Sequence, residues 1–181
     1  MDQTQALDHF LAGVERRAFR MAELATRNRD EALDLVQDTM FKLVQRYVDR
    51  DESEWGPLFY RILQNRIQDW HRRNWVRTRW RVWFQEDPES EEGEGNPIEH
   101  IPDPTIPDPT DQIAKKRAAA ALDGALHELP LRQQQAFLLR AWEGYGVAET
   151  ARSMGCSEGS VKTHYSRAVH TLRKRLEDHW P

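Results

Sequence analysis

The sequence is poor in cysteine and in long apolar runs. Its single thiol, Cys156, excludes an internal disulfide and a cysteine-rich zinc site, which favours a reducing compartment. No run approaches the roughly 18 apolar residues that a membrane-spanning helix needs. The first residues mix acids with arginines, whereas a signal peptide has a basic start followed by an apolar stretch. We therefore expect a cytoplasmic protein with no membrane insertion.

Catalytic patterns are also missing from the sequence. The seven histidines are scattered, and no spacing indicates a nucleophile with its base, a metal site or a glycine-rich phosphate loop. We expect no enzymatic activity, no metal and no cofactor. The hydrophobic fraction of 39% is low for one large core and favours two small domains.

Charge is strongly segregated along the chain, although the net charge is only −4. Residues 61–85 hold seven arginines and one acid, residues 86–111 hold ten acids and no Lys or Arg, and residues 112–181 hold eleven basic residues against seven acids. The stretch 86–112 also holds six of the nine prolines and has no apolar periodicity. It is predicted to be an acidic, proline-rich linker between helical domains at 1–85 and 113–181.

Apolar residues recur at helical spacing in both predicted domains, so the fold class is all-α. The N-terminal domain is predicted to be a bundle of three or four helices, with a break at Glu54–Pro57. One of its helices has an inward stripe consisting of Leu33, Val36, Met40, Leu43, Val44 and Tyr47. The C-terminal domain is predicted to contain four helices, of which the second covers Leu131–Trp142.

The most specific pattern is a helix-turn-helix at residues 147–168. Ala151, Gly155 and Val161 have the spacing of the crossing residue, the turn glycine and the locking apolar residue. Val161, Tyr165, Ala168 and Leu172 then share an inward face. The opposite face is predicted to meet DNA through Ser160, Lys162, Thr163, Ser166 and Arg167. The alternative is a solvated basic face on an ordinary amphipathic helix.

A second pattern combines arginines with aromatics at Leu58–Phe84. Seven arginines alternate there with Phe59, Tyr60, Trp70, Trp75, Trp80, Trp83 and Phe84. Proteins bind single-stranded DNA with arginines and aromatic residues together, because the cations bind phosphates and the flat rings stack on bases. The pattern therefore predicts a single-strand binding surface. The alternative is that the rings pack in the core or between domains.

Two segments resemble the extracytoplasmic-function sigma factors of bacterial RNA polymerase. Residues 122–176, from LDGALHELP to TLRKRL, resemble the fourth conserved region of that family, while DEALDLVQDTMFKLVQRY and PLFYRILQNRIQDWHRR resemble the second. The resemblance implies that the helix-turn-helix reads the minus-35 promoter element, with Lys162, Thr163, Ser166 and Arg167 in the major groove and Arg140 at its edge. It implies contacts with the melted minus-10 element by Asn65 and by a loop after Trp70, namely His71, Arg72, Arg73, Asn74 and the adjoining Trp75.

The resemblance also implies the partners: core RNA polymerase, promoter DNA and an anti-sigma factor. Asp34, Gln37, Asp38 and Phe41 form a stripe that matches the family's polymerase-docking motif. His164 and Thr150 depart from the common pattern, where arginine and an apolar residue are frequent. The linker is either a tether or, as the family implies, a segment directed toward the RNA exit channel.

Two other functions remain open at this point. An ordinary regulator with a C-terminal helix-turn-helix would bind duplex DNA without polymerase. A helical adaptor would bind only protein and would show no salt-dependent affinity for DNA.

Overall fold

The computed structural model describes residues 3–84 and 109–177, with side chains at 3–75 and 116–177. Within these ranges the chain is helical and has no strand, which confirms the predicted all-α class. The helices are α1 (Gln3–Thr26), α2 (Arg29–Tyr47), α3 (Glu52–Phe84), α4 (Pro109–His127), α5 (Leu131–Phe137), α6 (Val147–Met154) and α7 (Glu158–Arg175). The predicted linker, residues 86–112, lies mostly outside the described residues. Its last four residues belong to α4, which begins at Pro109.

Helices α1, α2 and α3 form the N-terminal bundle. α2 begins at the N-cap Asn28, whose side chain accepts a hydrogen bond from the amide of Glu31 at 3.0 Å. Acids in its first turn, Asp30 and Glu31, complement the positive end of the helix dipole. The largest fully buried side chains of the bundle include Trp55, Phe59, Tyr60, Met21, Leu24, Leu43, Leu63 and Ile67.

The break before α3 lies earlier than the sequence predicts. Instead of ending at Glu54–Pro57, the irregular segment ends at Asp51, whose carboxylate accepts hydrogen bonds from the amide and the hydroxyl of Ser53 at 2.9 and 2.6 Å. Asp51 therefore caps a helix that begins at Glu52. Pro57 lies inside α3, where its missing N–H costs one helical hydrogen bond near the helix start.

Helices α4 to α7 form the C-terminal domain. The predicted helix Leu131–Trp142 has the expected bounds but two geometries. It is an α-helix, α5, over its first part and a π-helical turn at Leu138–Trp142. The turn ends with the amide of Glu143 donating to the carbonyl of Leu138 at 3.1 Å. α6 and α7 follow as the two helices of the predicted helix-turn-helix.

The two domains pack against one another. α3 lies along α6, α1 contacts α4, and the buried apolar residues form one continuous cluster. At the centre of this contact, the rings of Tyr60 and Tyr145 meet edge to face with centroids 5.6 Å apart. Burial and the neighbouring Glu143 carboxylate raise the pKa of both phenols above the usual value. Both hydroxyls are therefore protonated at neutral pH.

The helix-turn-helix depends on glycine at its turn. Gly155 has a φ of 62°, in the left-handed region where a Cβ is unfavourable. We expect Gly155→Ala to lower the free energy of unfolding by about 1–2 kcal/mol. The control is Gly159→Ala, since Gly159 is helical and a Cβ there would come no closer than 3.9 Å to Ser157 Oγ. Chemical denaturation followed by circular dichroism measures both, and an equal loss in the two variants would contradict the expectation.

Candidate nucleic-acid interface

α7 presents one polar face and buries the other. Val161, Ala168 and Leu172 are buried and Tyr165 is half-buried, which confirms the predicted inward side. The predicted DNA-reading residues Lys162, Thr163, Ser166 and Arg167 are all exposed on the opposite side. The face carries two cations and two hydroxyls, the groups that bind phosphates and base edges.

Ser160, the fifth predicted residue of this face, belongs to the helix cap. The Ser157 hydroxyl accepts a hydrogen bond from the Ser160 amide at 3.1 Å and lies 2.9 Å from the Ser160 hydroxyl. The Ser160 hydroxyl therefore already has a partner in the cap and would have to contact DNA from within it. It lies at the N-terminus of α7, where the helix dipole favours a phosphate.

Arg140 points inward to the α7 packing rather than outward. Its guanidinium donates to the carbonyl of Tyr145 and lies 5.5 Å from the centre of the Tyr165 ring. Tyr165 in turn stacks on Phe137, with centroids 6.2 Å apart. The predicted role of Arg140 at the groove edge stays a prediction, and in this structure the side chain joins the π-helical turn to α7.

His164 lies half-buried beside the polar face of α7. Burial lowers its pKa below the usual value, and the nearby cations Arg132 and Arg167 lower it further. The imidazole is therefore neutral at pH 7 and offers one donor and one acceptor instead of a positive charge.

The predicted minus-10 contacts lie on α3, not on a loop. His71, Arg72, Arg73 and Asn74 continue the helix without a break, because α3 runs to Phe84. Asn65, Arg72, Arg73 and Trp75 are exposed, and the Trp75 side chain reaches 60% exposure. This part of α3 thus offers cations and a flat ring to a single strand, while Asp69 pairs with Arg72 at 2.9 Å.

Two aromatics of the predicted single-strand surface are core residues. Phe59 and Tyr60 have no exposed surface, so the prediction that they serve single-stranded DNA is wrong. They lie on the side of α3 that packs on α1, α2 and α6, and a count of aromatics does not distinguish the two sides of a helix. The side chains of Trp80, Trp83 and Phe84 lie outside the described residues.

A cleft of about 350 Å³ separates this part of α3 from the C-terminal domain. Trp70, His71 and Asn74 line one side of it, and His127, Leu131 and Gln134 line the other. Burial lowers the pKa of His71, an effect partly opposed by its hydrogen bond to the Ala25 backbone. The imidazole of His71 is therefore neutral at pH 7.

α2 exposes a mixed acidic and apolar face. Asp34, Gln37, Asp38 and Phe41 are all exposed, and the Phe41 ring reaches 69% exposure. The prediction that Leu33 and Val44 pack inward is wrong, because they are 44% and 42% exposed and extend this same face. The buried side of α2 instead consists of Ala32, Leu35, Val36, Thr39 and Leu43. Asp38 is held by an ion pair with Arg66 of α3 at 3.2 Å.

Within the described ranges, no group of three or more His, Cys, Asp or Glu side chains could hold a metal ion. None of the described helices is long and apolar enough to cross a membrane.

Comparison with known proteins identifies the family. The profile described as Sigma-70 region 2 matches residues 7–77, and the one described as Sigma-70, region 4 matches residues 119–172. The RNA polymerase sigma-E factor of Streptomyces antibioticus is 34% identical over 136 residues, which is 75% of this chain and 69% of that protein. The ECF RNA polymerase sigma factor BldN of Streptomyces coelicolor is 32% identical over 152 residues. This chain is an extracytoplasmic-function sigma factor.

The match to BldN covers 81% of this sigma factor but only about half of BldN. A solved structure covers it more fully. The sigma factor RpoE of Bartonella quintana, solved in complex with the anti-sigma factor NepR, is 25% identical, covers 97% of both chains and has a TM-score of 0.65. The family assignment predicted from the sequence is confirmed.

Proposed function

We propose that this sigma factor binds core RNA polymerase and directs transcription initiation at specific promoters. The exposed face of α2 binds the polymerase. The polar face of α7 reads the minus-35 element, and the arginine-aromatic part of α3 holds the melted minus-10 element. The protein positions polymerase on promoter DNA and contributes no catalytic group. It acts in the cytoplasm.

One observation carries the proposal furthest: α2 keeps Phe41, Leu33 and Val44 exposed beside Asp34 and Asp38. Exposed apolar residues that form a patch with polar neighbours mark protein interaction sites. Together with a basic reading helix at the other end of the chain, this face supports recruitment of a protein to DNA.

The DNA contacts follow from ordinary readout chemistry. Lys162 and Arg167 neutralise phosphates or bind guanine edges in the major groove, while Ser166 accepts from or donates to base edges. The Thr163 hydroxyl donates to the carbonyl of Gly159 at 3.0 Å, so it accepts from a base edge. On the melted strand, Trp75 offers a stacking surface worth about 1–3 kcal/mol per base. Arg72 and Arg73 bind the adjoining phosphates. Stacking of the extruded base offsets part of the cost of strand separation.

We also propose an anti-sigma factor as a partner. The similar RpoE was solved with its anti-sigma factor NepR. A protein that covers either the α2 face or the α7 face of this chain would block initiation.

Run-off transcription with purified bacterial core polymerase and a library of promoter fragments tests the proposal. Asp34→Arg is the informative variant, because Asp34 is exposed, whereas Asp38 already pairs with Arg66. We expect the native protein to start specific transcripts and Asp34→Arg to reduce them at least tenfold through charge repulsion at the polymerase surface. Binding of duplex DNA by the variant is expected to stay unchanged.

Asp8→Arg is the matched control, since Asp8 is exposed on α1 and its substitution changes the net charge equally. It should transcribe like the native protein. Duplex binding without initiation from any fragment, and without any effect of polymerase, would contradict the proposal and place the protein among ordinary regulators.

A further inference from the structure

One ion pair joins the exposed face of α2 to the neighbouring helix α3. Arg66 Nη1 lies 3.2 Å from Asp38 Oδ2. The side chain of Asp38 is 60% exposed and that of Arg66 is 36% exposed, so water reaches both charges in the free chain. Asp38 shares its helix face with Asp34 and Phe41, the face that we propose to bind polymerase. The pair therefore lies at the edge of a proposed protein interface.

The stability of the free chain accounts poorly for this pair. Ion pairs exposed to water contribute little to folding, because water screens the attraction and two long side chains lose freedom. Arg66 Nε is also buried and has no hydrogen-bond partner within the described residues, which is unfavourable. Local costs of this kind are typical of functional sites, where a protein departs from its most stable arrangement.

Covering the α2 face would change what the pair contributes. Leu33, Phe41 and Val44 supply the apolar part of this face, so a partner that buries them also removes water from Asp38. A carboxylate without water is strongly unfavourable unless a cation and hydrogen bonds satisfy it. Arg66 provides that cation from within the chain. Its contact is made through Asp38 Oδ2, so Oδ1 can accept a hydrogen bond from the partner.

The opposite effect of Arg66 is the main alternative. If polymerase supplied its own cation to Asp38, Arg66 would compete with that cation, and its removal would strengthen binding. The burial of Arg66 favours the first reading. Because Nε is enclosed between the helices, the guanidinium is held at the edge of the face and does not swing into solvent when a partner arrives.

We propose that Arg66 is a positioning residue for polymerase docking, which holds the Asp38 carboxylate in place and neutralises it when the α2 face is covered. The inference rests on the proposed function. Arg66 acts through Asp38 and does not need to touch the polymerase. A pair that is already formed loses little freedom on binding, so it also lowers the entropic cost of docking.

Titration of labelled full-length protein with core polymerase, without DNA, tests this role. We expect Arg66→Gln to weaken binding at least about tenfold, because the covered carboxylate loses its cation. Arg66→Lys keeps a cation beside Asp38 and should stay within about threefold of the native affinity. Arg50→Gln is the matched control, since Arg50 is exposed, pairs with Glu54 at 3.9 Å and carries the same charge. It should bind like the native chain.

Asp38→Asn separates the positioning role from a purely structural one. The carboxylate charge is absent in that background, so adding Arg66→Gln should change the affinity by less than about threefold. A structural role of Arg66 would lower the affinity equally in both backgrounds. Urea unfolding should give Arg66→Gln and Arg50→Gln similar free energies of unfolding, because water reaches both ion pairs.

Native-like or tighter binding by Arg66→Gln would overturn the inference. So would equal losses from Arg66→Gln with and without Asp38→Asn. If the native chain itself does not bind core polymerase, the proposed function fails and the inference fails with it. If the native chain binds and Arg66→Gln binds equally well, the proposed function stands and only the role of Arg66 is removed.

Discussion

Replacing Lys162 and Arg167 together with alanine is expected to weaken binding to a minus-35 duplex by about 100-fold. Both side chains are exposed on the polar face of α7, so their removal should leave the buried side of the helix intact. Each contact with a base or phosphate contributes about 1–3 kcal/mol, and every 1.4 kcal/mol is about tenfold in affinity. Loss of two cationic contacts should also reduce the slope of log affinity against log salt by up to about 2.

Fluorescence anisotropy with labelled duplex at several salt concentrations measures both quantities. Lys116→Ala/Arg117→Ala is the matched control, because these two exposed residues lie on α4 and their loss removes the same charge. The control should keep the native affinity within about threefold. Equal losses in the two double variants would mean that net charge, not the α7 face, determines binding.

Phe41→Ala is expected to weaken binding to core RNA polymerase by about 30- to 100-fold. The ring is largely exposed in the free chain and lies between Leu33 and Val44 on the α2 face. Burying such a ring in a partner contributes about 2–3 kcal/mol, and aromatic residues at the centre of an interface dominate its affinity. The fold should be unaffected, because little of the ring packs within this chain.

Titration of labelled protein with core polymerase measures the affinity, and circular dichroism checks the helix content. Leu122→Ala is the control, since Leu122 is also an exposed apolar residue but lies on α4. Its affinity should equal that of the native chain. Native-like binding by Phe41→Ala would show that polymerase does not dock on this face of α2.

The helices and the two sides of α7 were predictable because they depend on local patterns. Gly155 and Ser157 mark the turn and the cap by residue type, and the spacing of Val161, Ala168 and Leu172 decides which side of α7 is buried. The family could be predicted because two recognisable segments occur in the right order, and both matched profiles confirm it.

The remaining features depend on packing that a linear pattern does not contain. Leu33 and Val44 fit an inward stripe by spacing, yet the bundle of three helices has room only for the side of α2 that carries Leu35 and Leu43. Phe59 fits a stacking surface by composition and is instead in the core. The contact of Arg17 with Glu143 joins residues 126 positions apart, and neither has a local signal.

The π-helical turn at Leu138–Trp142 has a consequence for how this chain tolerates change in length. A π turn holds one residue more than an α turn, and one residue corresponds to about 100° of rotation around a helix. A deletion of one codon here would let α5 continue in regular geometry and would turn Glu143 away from Arg17, its ion-pair partner in the other domain. The length of this five-residue turn therefore determines whether the two domains of the protein pack together.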